Sequence, residues 1–172
     1  MEADQRRKQI WEQIQKVHHP VSASKLAEMF GVSRQVVVGD IALLRAQGCP
    51  ILATARGYLR MPSGAPDRFT GKVASCHTPE RTQEELALIL SLGGEIVDVI
   101  VEHEVYGELV GQLHIASPED LEVFIQNLKQ HSASLLSVLT GGLHLHSIVC
   151  DDYAHFEKIS AEVQKYFSYP QK

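Results

Sequence analysis

At 172 residues, 44% of them hydrophobic and with no low-complexity stretch, the chain can bury the core of one large domain or two small ones. Its net charge of −5 is unevenly spread: nine Lys and Arg against five Asp and Glu up to Met61, then seven against sixteen from Pro62 onward. No apolar run approaches the roughly 18 residues of a membrane span, the charged start MEADQRRKQIW is no secretory signal, and three widely spaced cysteines make neither a disulfide framework nor a thiolate zinc site. The expected location is therefore cytoplasmic.

Asp4 to Val17 reads as an amphipathic helix, with Ile10, Trp11, Ile14 and Val17 recurring on one face. Pro20 stops it through the preceding His19. Ser22 or Ser24 can cap a short helix, KLAEMF, which ends at Gly31, the residue best suited to a tight turn with positive φ. Ser33 then caps a third helix running to about Gln47, with Val36, Val37, Ile41, Leu43 and Leu44 expected on its inner face. A short helix, a glycine turn and a longer capped helix have the spacing of a helix-turn-helix.

In that arrangement the start of the third helix enters the major groove with Ser33, Arg34, Gln35 and Val38 outward. Arg and Gln suit base edges because each makes bidentate hydrogen bonds, to guanine and adenine respectively. Two short extended runs flank Ala55-Arg56-Gly57 in ILATARGYLRM, which reads as a wing. There Arg56 and Arg60 would meet phosphate or the minor groove, and Tyr58 the nucleic-acid backbone. A three-helix module without DNA is the plainer alternative, and the outward Arg and Gln, the basic balance and the wing argue against it. Gly39 is an oddity inside the recognition helix, at a helix-propensity cost of about 1 kcal/mol. The segment SASKLAEMFGVSRQVVVGDIALLRAQG resembles the winged helix of bacterial biotin-operon repressors and related regulators.

Pro62 to Asp67, PSGAPD, has the composition of a short linker and divides residues 1–61 from residues 67–172. Beyond it the pattern runs strand (Phe69 to Ala74), helix (Thr82 to Leu92), strand (Ile96 to Glu102), strand (Leu109 to Ile115), helix (Pro118 to Lys129), strand (His144 to Cys150) and helix (Tyr153 to Phe167). Strands at both ends and two adjacent in the middle imply an antiparallel sheet covered by helices on one side. The fold class expected is α+β, a winged helix-turn-helix followed by a two-layer sandwich. The order of the strands is not legible.

Two places in this second part carry chemistry. In GGLHLHSIVC, His144 and His146 stand two apart on a strand, so both imidazoles point to one face and can grip one metal ion. In CHTPERTQEEL, His77 precedes a helix and Glu85 lies in its first turn. Three histidines and a carboxylate suit zinc, nickel, cobalt or iron(II). Each has a plainer reading: Thr82 and Glu85 have capping-box spacing, and a lone histidine before a helix is usually structural. Cys150 shares the strand face but lies four residues from His146, and His103, His114, His131 and His155 are scattered.

CHTPERTQEELALILSLGGEIVDVIVEHEVYGEL, followed by TGGLHLHSI, resembles the three-histidine (3H) domain that follows this same winged helix in the niacin-responsive NiaR repressors. The resemblance covers essentially the whole chain. It puts the naming histidines at His77, His144 and His146, with Glu85 as the matching carboxylate. It implies a homodimeric repressor of genes for NAD biosynthesis or niacin uptake, with operator DNA as partner. One divalent metal per chain, nickel or zinc, and nicotinic acid as co-repressor would complete it. Two other readings stay open: a repressor that senses the metal itself, and a metal-dependent hydrolase with a regulatory DNA-binding head. Against the hydrolase, the sequence has no nucleophile motif and no glycine-rich phosphate loop.

Overall fold

The computed structural model describes residues 2–61, 67–131 and 133–168 and divides into two compact units, residues 1–64 and 65–172. Residues 62–66 of the expected linker lie outside the described residues. No helix among the described residues is long and apolar enough to cross a membrane.

The first unit starts with α1 (Ala3–Lys16), whose Ile10 and Ile14 are fully buried. In α2 (Ala23–Phe30), Ser22 is the cap, accepting from the Lys25 amide, and Gly31 closes the helix in the left-handed conformation at φ 64°. Ser33 caps α3 (Arg34–Ala46) in the same way, accepting from the Val36 amide. The inner face of α3 is narrower than its composition suggests. Val37, Ile41 and Leu44 are buried, whereas Val36 and Leu43 are exposed by 38% and 50%. At 100° per residue, Val36 and Leu43 fall on the flank of the stripe rather than its centre.

Asp40 takes the inward place instead. It is 4% exposed, and it receives Arg6 Nε at 2.6 Å and Arg7 Nη1 at 3.4 Å from α1. The sequence offered a sign of this, since Asp40 lies on the stripe marked by Val37, Ile41 and Leu44. Strands β1 (Ile51–Thr54) and β2 (Gly57–Arg60) pair antiparallel, from Ile51 opposite Arg60 to Thr54 opposite Gly57. Val21 adds a bridge to this hairpin: its N–H donates to Tyr58 O and its carbonyl accepts from Tyr58 N, both at 2.8 Å. The three helices and the wing thus share one core.

The second unit is a four-stranded antiparallel sheet in the order β3-β6-β4-β5, with β3 at Phe69–Cys76, β4 at Glu95–His103, β5 at Gly107–Ile115 and β6 at Leu143–Cys150. Three helices cover one face: α6 (Tyr153–Phe167) on β3 and β6, α4 (Thr82–Ser91) on β4, and α5 (Pro118–Gln130) on β5. Their apolar faces meet the sheet in one core that includes Leu86, Ile89, Phe124, Ile148, Ile159 and Val163. This is the expected two-layer α+β sandwich. On β3 the alternation is plain, with Thr70, Lys72 and Ala74 exposed and Val73 and Ser75 buried.

Candidate metal centre

The register between β3 and β6 sets Ser75 opposite His144 and Val73 opposite His146. One residue beyond the strand, the His77 amide donates to the Gly142 carbonyl at 3.4 Å, which continues the ladder. His77 is therefore a diagonal neighbour of His144 on the same face, and the three imidazoles form a row. Ring centroids are 4.9 Å apart for His77 and His144 and 4.8 Å for His144 and His146. Gly142 makes the close approach possible. It sits at φ 100°, and a Cβ there would overlap the His77 carbonyl.

Glu85 comes down on this row from the first turn of α4. Its Oε2 lies 3.1 Å from His144 Nε2 and 3.5 Å from His146 Nε2, and in contact with His77 Nε2. Donor atoms of His77, Glu85 and His144 all fall within 4.8 Å of one another. His146 joins through the same carboxylate oxygen. All four side chains are buried, Glu85 completely.

The other ring nitrogens settle the tautomers. His77 Nδ1 faces Thr78 O at 2.7 Å, His144 Nδ1 faces Gly142 O at 2.8 Å, and His146 Nδ1 faces Asp98 O at 2.6 Å. A carbonyl only accepts, so each Nδ1 carries the hydrogen. In neutral rings the three Nε2 lone pairs then converge on a carboxylate, acceptor against acceptor. Only a cation or added protons can relieve that. With protons on those Nε2 atoms, burial still acts to raise the Glu85 carboxyl, but hydrogen bonds from His144, His146 and His77 outweigh it and hold the group far below the usual carboxylate range. Burial likewise disfavours charge on His77, and the Glu85 contact overcomes it, so its pKa moves up. Glu85 Oε1 is buried with no hydrogen-bond partner. Nδ1–H held by a carbonyl, with Nε2 free, is the usual outer-shell arrangement of a metal-binding histidine. The donor set fits a divalent transition metal.

Asp98 supports the site in a way not anticipated from the sequence. The β4 pairing is irregular around it, with register shifts between Ile96 and Asp98 on one side and Ile96 and Ile100 on the other. Such an irregularity re-aims the backbone, and here the Asp98 carbonyl meets His146. Its buried carboxylate accepts from the Ser147 amide at 2.9 Å and the Ser147 hydroxyl at 3.0 Å, which locks the irregular stretch to β6. A carboxylate inside the apolar run IVDVIV was the available sign.

On the other flank, Phe167 packs edge-on to His77 at 5.3 Å, and the Arg81 guanidinium lies over the Phe167 ring, 4.4 Å from its centroid. Beside the cluster opens a slot whose walls are Leu86, Val99, Leu113, Phe124, Leu135 and Leu136, with Thr82 and Ser137 at its polar margin.

The capping box does not form. Thr82 is the first residue inside α4, no side chain caps that helix, and Glu85 turns into the cluster. Cys150 stands apart from the site, its thiol donating to Asp152 O at 3.4 Å. His155 is likewise remote, its Nε2 facing Leu92 O at 2.6 Å.

Both units match known families. A model described as an HTH domain covers residues 6–59, and a 3H domain model covers residues 70–167. The probable transcription repressor NiaR of Thermotoga maritima is 42% identical over 161 residues, spanning 94% of this chain and 91% of that protein. The transcription repressor NadR of Bacillus subtilis is 38% identical over 149 residues, spanning 86% and 83%. The chain belongs to the NiaR family of transcription repressors. Like those relatives it is a DNA-binding regulator rather than an enzyme.

In NiaR terms the first unit carries the reading head. Ser33, Arg34 and Gln35 are exposed at the start of α3, and Ser33 Oγ is engaged in the cap. Val38 is half-buried against the core, as is Tyr58. Arg56 is half-buried in the turn of the wing, and Arg60 is exposed at the end of β2.

Proposed function

We propose that nicotinic acid is the co-repressor of this chain, bound at or beside one divalent metal ion, nickel or zinc, held by His77, Glu85, His144 and His146. The regulated genes would serve NAD biosynthesis or niacin uptake. The observation that carries the reading is the convergence of three Nε2 atoms and a buried carboxylate beside an apolar slot. A divalent ion with three neutral imidazoles and one carboxylate keeps about one positive charge. That local charge offsets the acidic balance of the second unit, which would otherwise repel an anionic effector. Such an ion supplies a positive centre for a carboxylate or ring nitrogen; the chain's own part is to orient the imidazoles, exclude water and furnish apolar walls.

Effector binding would favour a homodimer whose recognition helices match half-sites one helical turn apart, about 34 Å. It can do so only by binding that arrangement more tightly than the alternative. Operator shift assays with nicotinate, nicotinamide and a chelator test the reading. Nicotinate is expected to tighten operator binding, nicotinamide to do so less, and the chelator to abolish the response. Tightening by metal alone, unaffected by nicotinate, would replace this reading with that of a metal sensor.

For the DNA-binding unit we assign Ser33, Arg34, Gln35, Val38, Arg56, Tyr58 and Arg60 to the operator surface. On α3, Gln35, Gly39 and Ala42 lie opposite the buried stripe and are exposed. A Cβ on Gly39 would meet nothing within 4 Å. Gly39→Ala is therefore expected to raise the melting temperature, through a gain of about 1 kcal/mol in helix propensity, while weakening operator binding, because the new methyl faces the groove. Thermal melts and shift assays on one preparation check both. Higher stability with undiminished affinity would show that this face does not approach DNA closely.

A further inference from the structure

Thr82 is 9% exposed, and its hydroxyl has no hydrogen-bond partner within the protein. A buried hydroxyl left unpaired is costly, and valine would fill the same volume without that cost. Thr82 lines the slot beside the histidine cluster, and it also lines a neighbouring cavity together with Pro79, Ile125 and Leu128. Glu85, which lines the same slot, also holds an orphaned polar atom, Oε1. The two differ in sense: the carboxylate oxygen only accepts and serves a cation, whereas the hydroxyl can donate. Around them the walls are apolar, with Leu86, Phe124 and Leu136 among them.

We infer that Thr82 is an effector-binding residue, its hydroxyl donating a hydrogen bond to the carboxylate of a small planar acid whose body lies between Leu86, Phe124 and Leu136. The inference rests on the co-repressor reading above and assigns a side chain to it. One further feature agrees. The slot is narrow: the centre of a water molecule can range over about 30 Å³ of it, room for a water or two and hence for carboxylate oxygens. The ring enters by pushing back Leu135 and Leu136, which belong to the connection between α5 and β6.

Calorimetric titration of nicotinate into the metal-loaded full-length chain tests this, with metal content measured separately. Thr82→Val keeps the shape and removes the donor. It is expected to retain one metal per chain and to bind nicotinate about 10- to 100-fold more weakly, the range for a hydrogen bond to a charged group. Thr82→Ser, which keeps the hydroxyl, is expected to stay within a few-fold of the parent. Unchanged nicotinate affinity in Thr82→Val overturns the assignment, and so does a joint loss of metal and nicotinate, which would mark Thr82 as structural. A parent chain that loads metal but binds no nicotinate overturns the co-repressor reading and this inference with it.

Discussion

Glu85→Gln is expected to weaken metal binding by at least about 100-fold, since even an outer-shell partner of a metal site is worth about 10- to 100-fold. The fold should survive, because glutamine keeps the shape and its amide can donate to an imidazole lone pair. Two effects then act together: one ligand atom is lost, and so is the negative charge that the three neutral rings cannot supply. Operator binding should in consequence no longer respond to nicotinate. Competition with a chromophoric chelator measures the affinity. His155→Ala is the control, because His155 contacts Leu92 O well away from the cluster and its loss should leave metal binding unchanged. Parent-like metal affinity in Glu85→Gln would remove the carboxylate from the ligand set.

Phe167→Ala should destabilise the second unit by about 3–5 kcal/mol, the usual cost of emptying a buried phenylalanine site. Phe167 is 1% exposed and ranks among the largest fully buried side chains. The effect should also reach the candidate metal centre. With the ring gone, His77 loses one wall and Arg81 loses the surface it covers, although Arg81 still holds Tyr166 O at 3.2 Å. Urea denaturation reads the stability, and the chelator competition reads a smaller, separate loss of metal affinity. A loss of stability with no change in metal affinity would show that the wall beside His77 is dispensable for the site.

Local chemistry made much of the fold legible. Ser33 caps the helix it was expected to cap, Ser22 rather than Ser24 takes the second cap, and α6 runs over the expected residues. These features depend on a few neighbouring residues, so the sequence displays them. The inner face of α3 was less legible, because Val36 and Leu43 are apolar yet lie on its flank, and the buried place between them goes to the charged Asp40. Composition cannot say that two arginines from another helix will meet that charge.

The same divide runs through the candidate metal centre. Two histidines two apart on a strand show their common face at once. Their union with His77 depends on the β3–β6 register, and the place of Asp98 depends on an irregularity deep in β4. Thr82 and Glu85 show how one spacing supports two outcomes. The capping box and the site draw on the same carboxylate, and tertiary packing decided for the site. The strand order β3-β6-β4-β5 follows from long-range pairing that no local pattern encodes.

The three carbonyls that orient the imidazoles belong to Thr78, Asp98 and Gly142, which are drawn from separate stretches of the chain. An unfolded chain cannot present them together, so a cation that binds here binds the folded form. By mass action, free metal at a thousand times its dissociation constant would add about 4 kcal/mol to the stability of the second unit. An ion that readied the protein for an effector would then also lengthen its survival against proteases. A cell short of that metal would hold less of the regulator as well as a less responsive one.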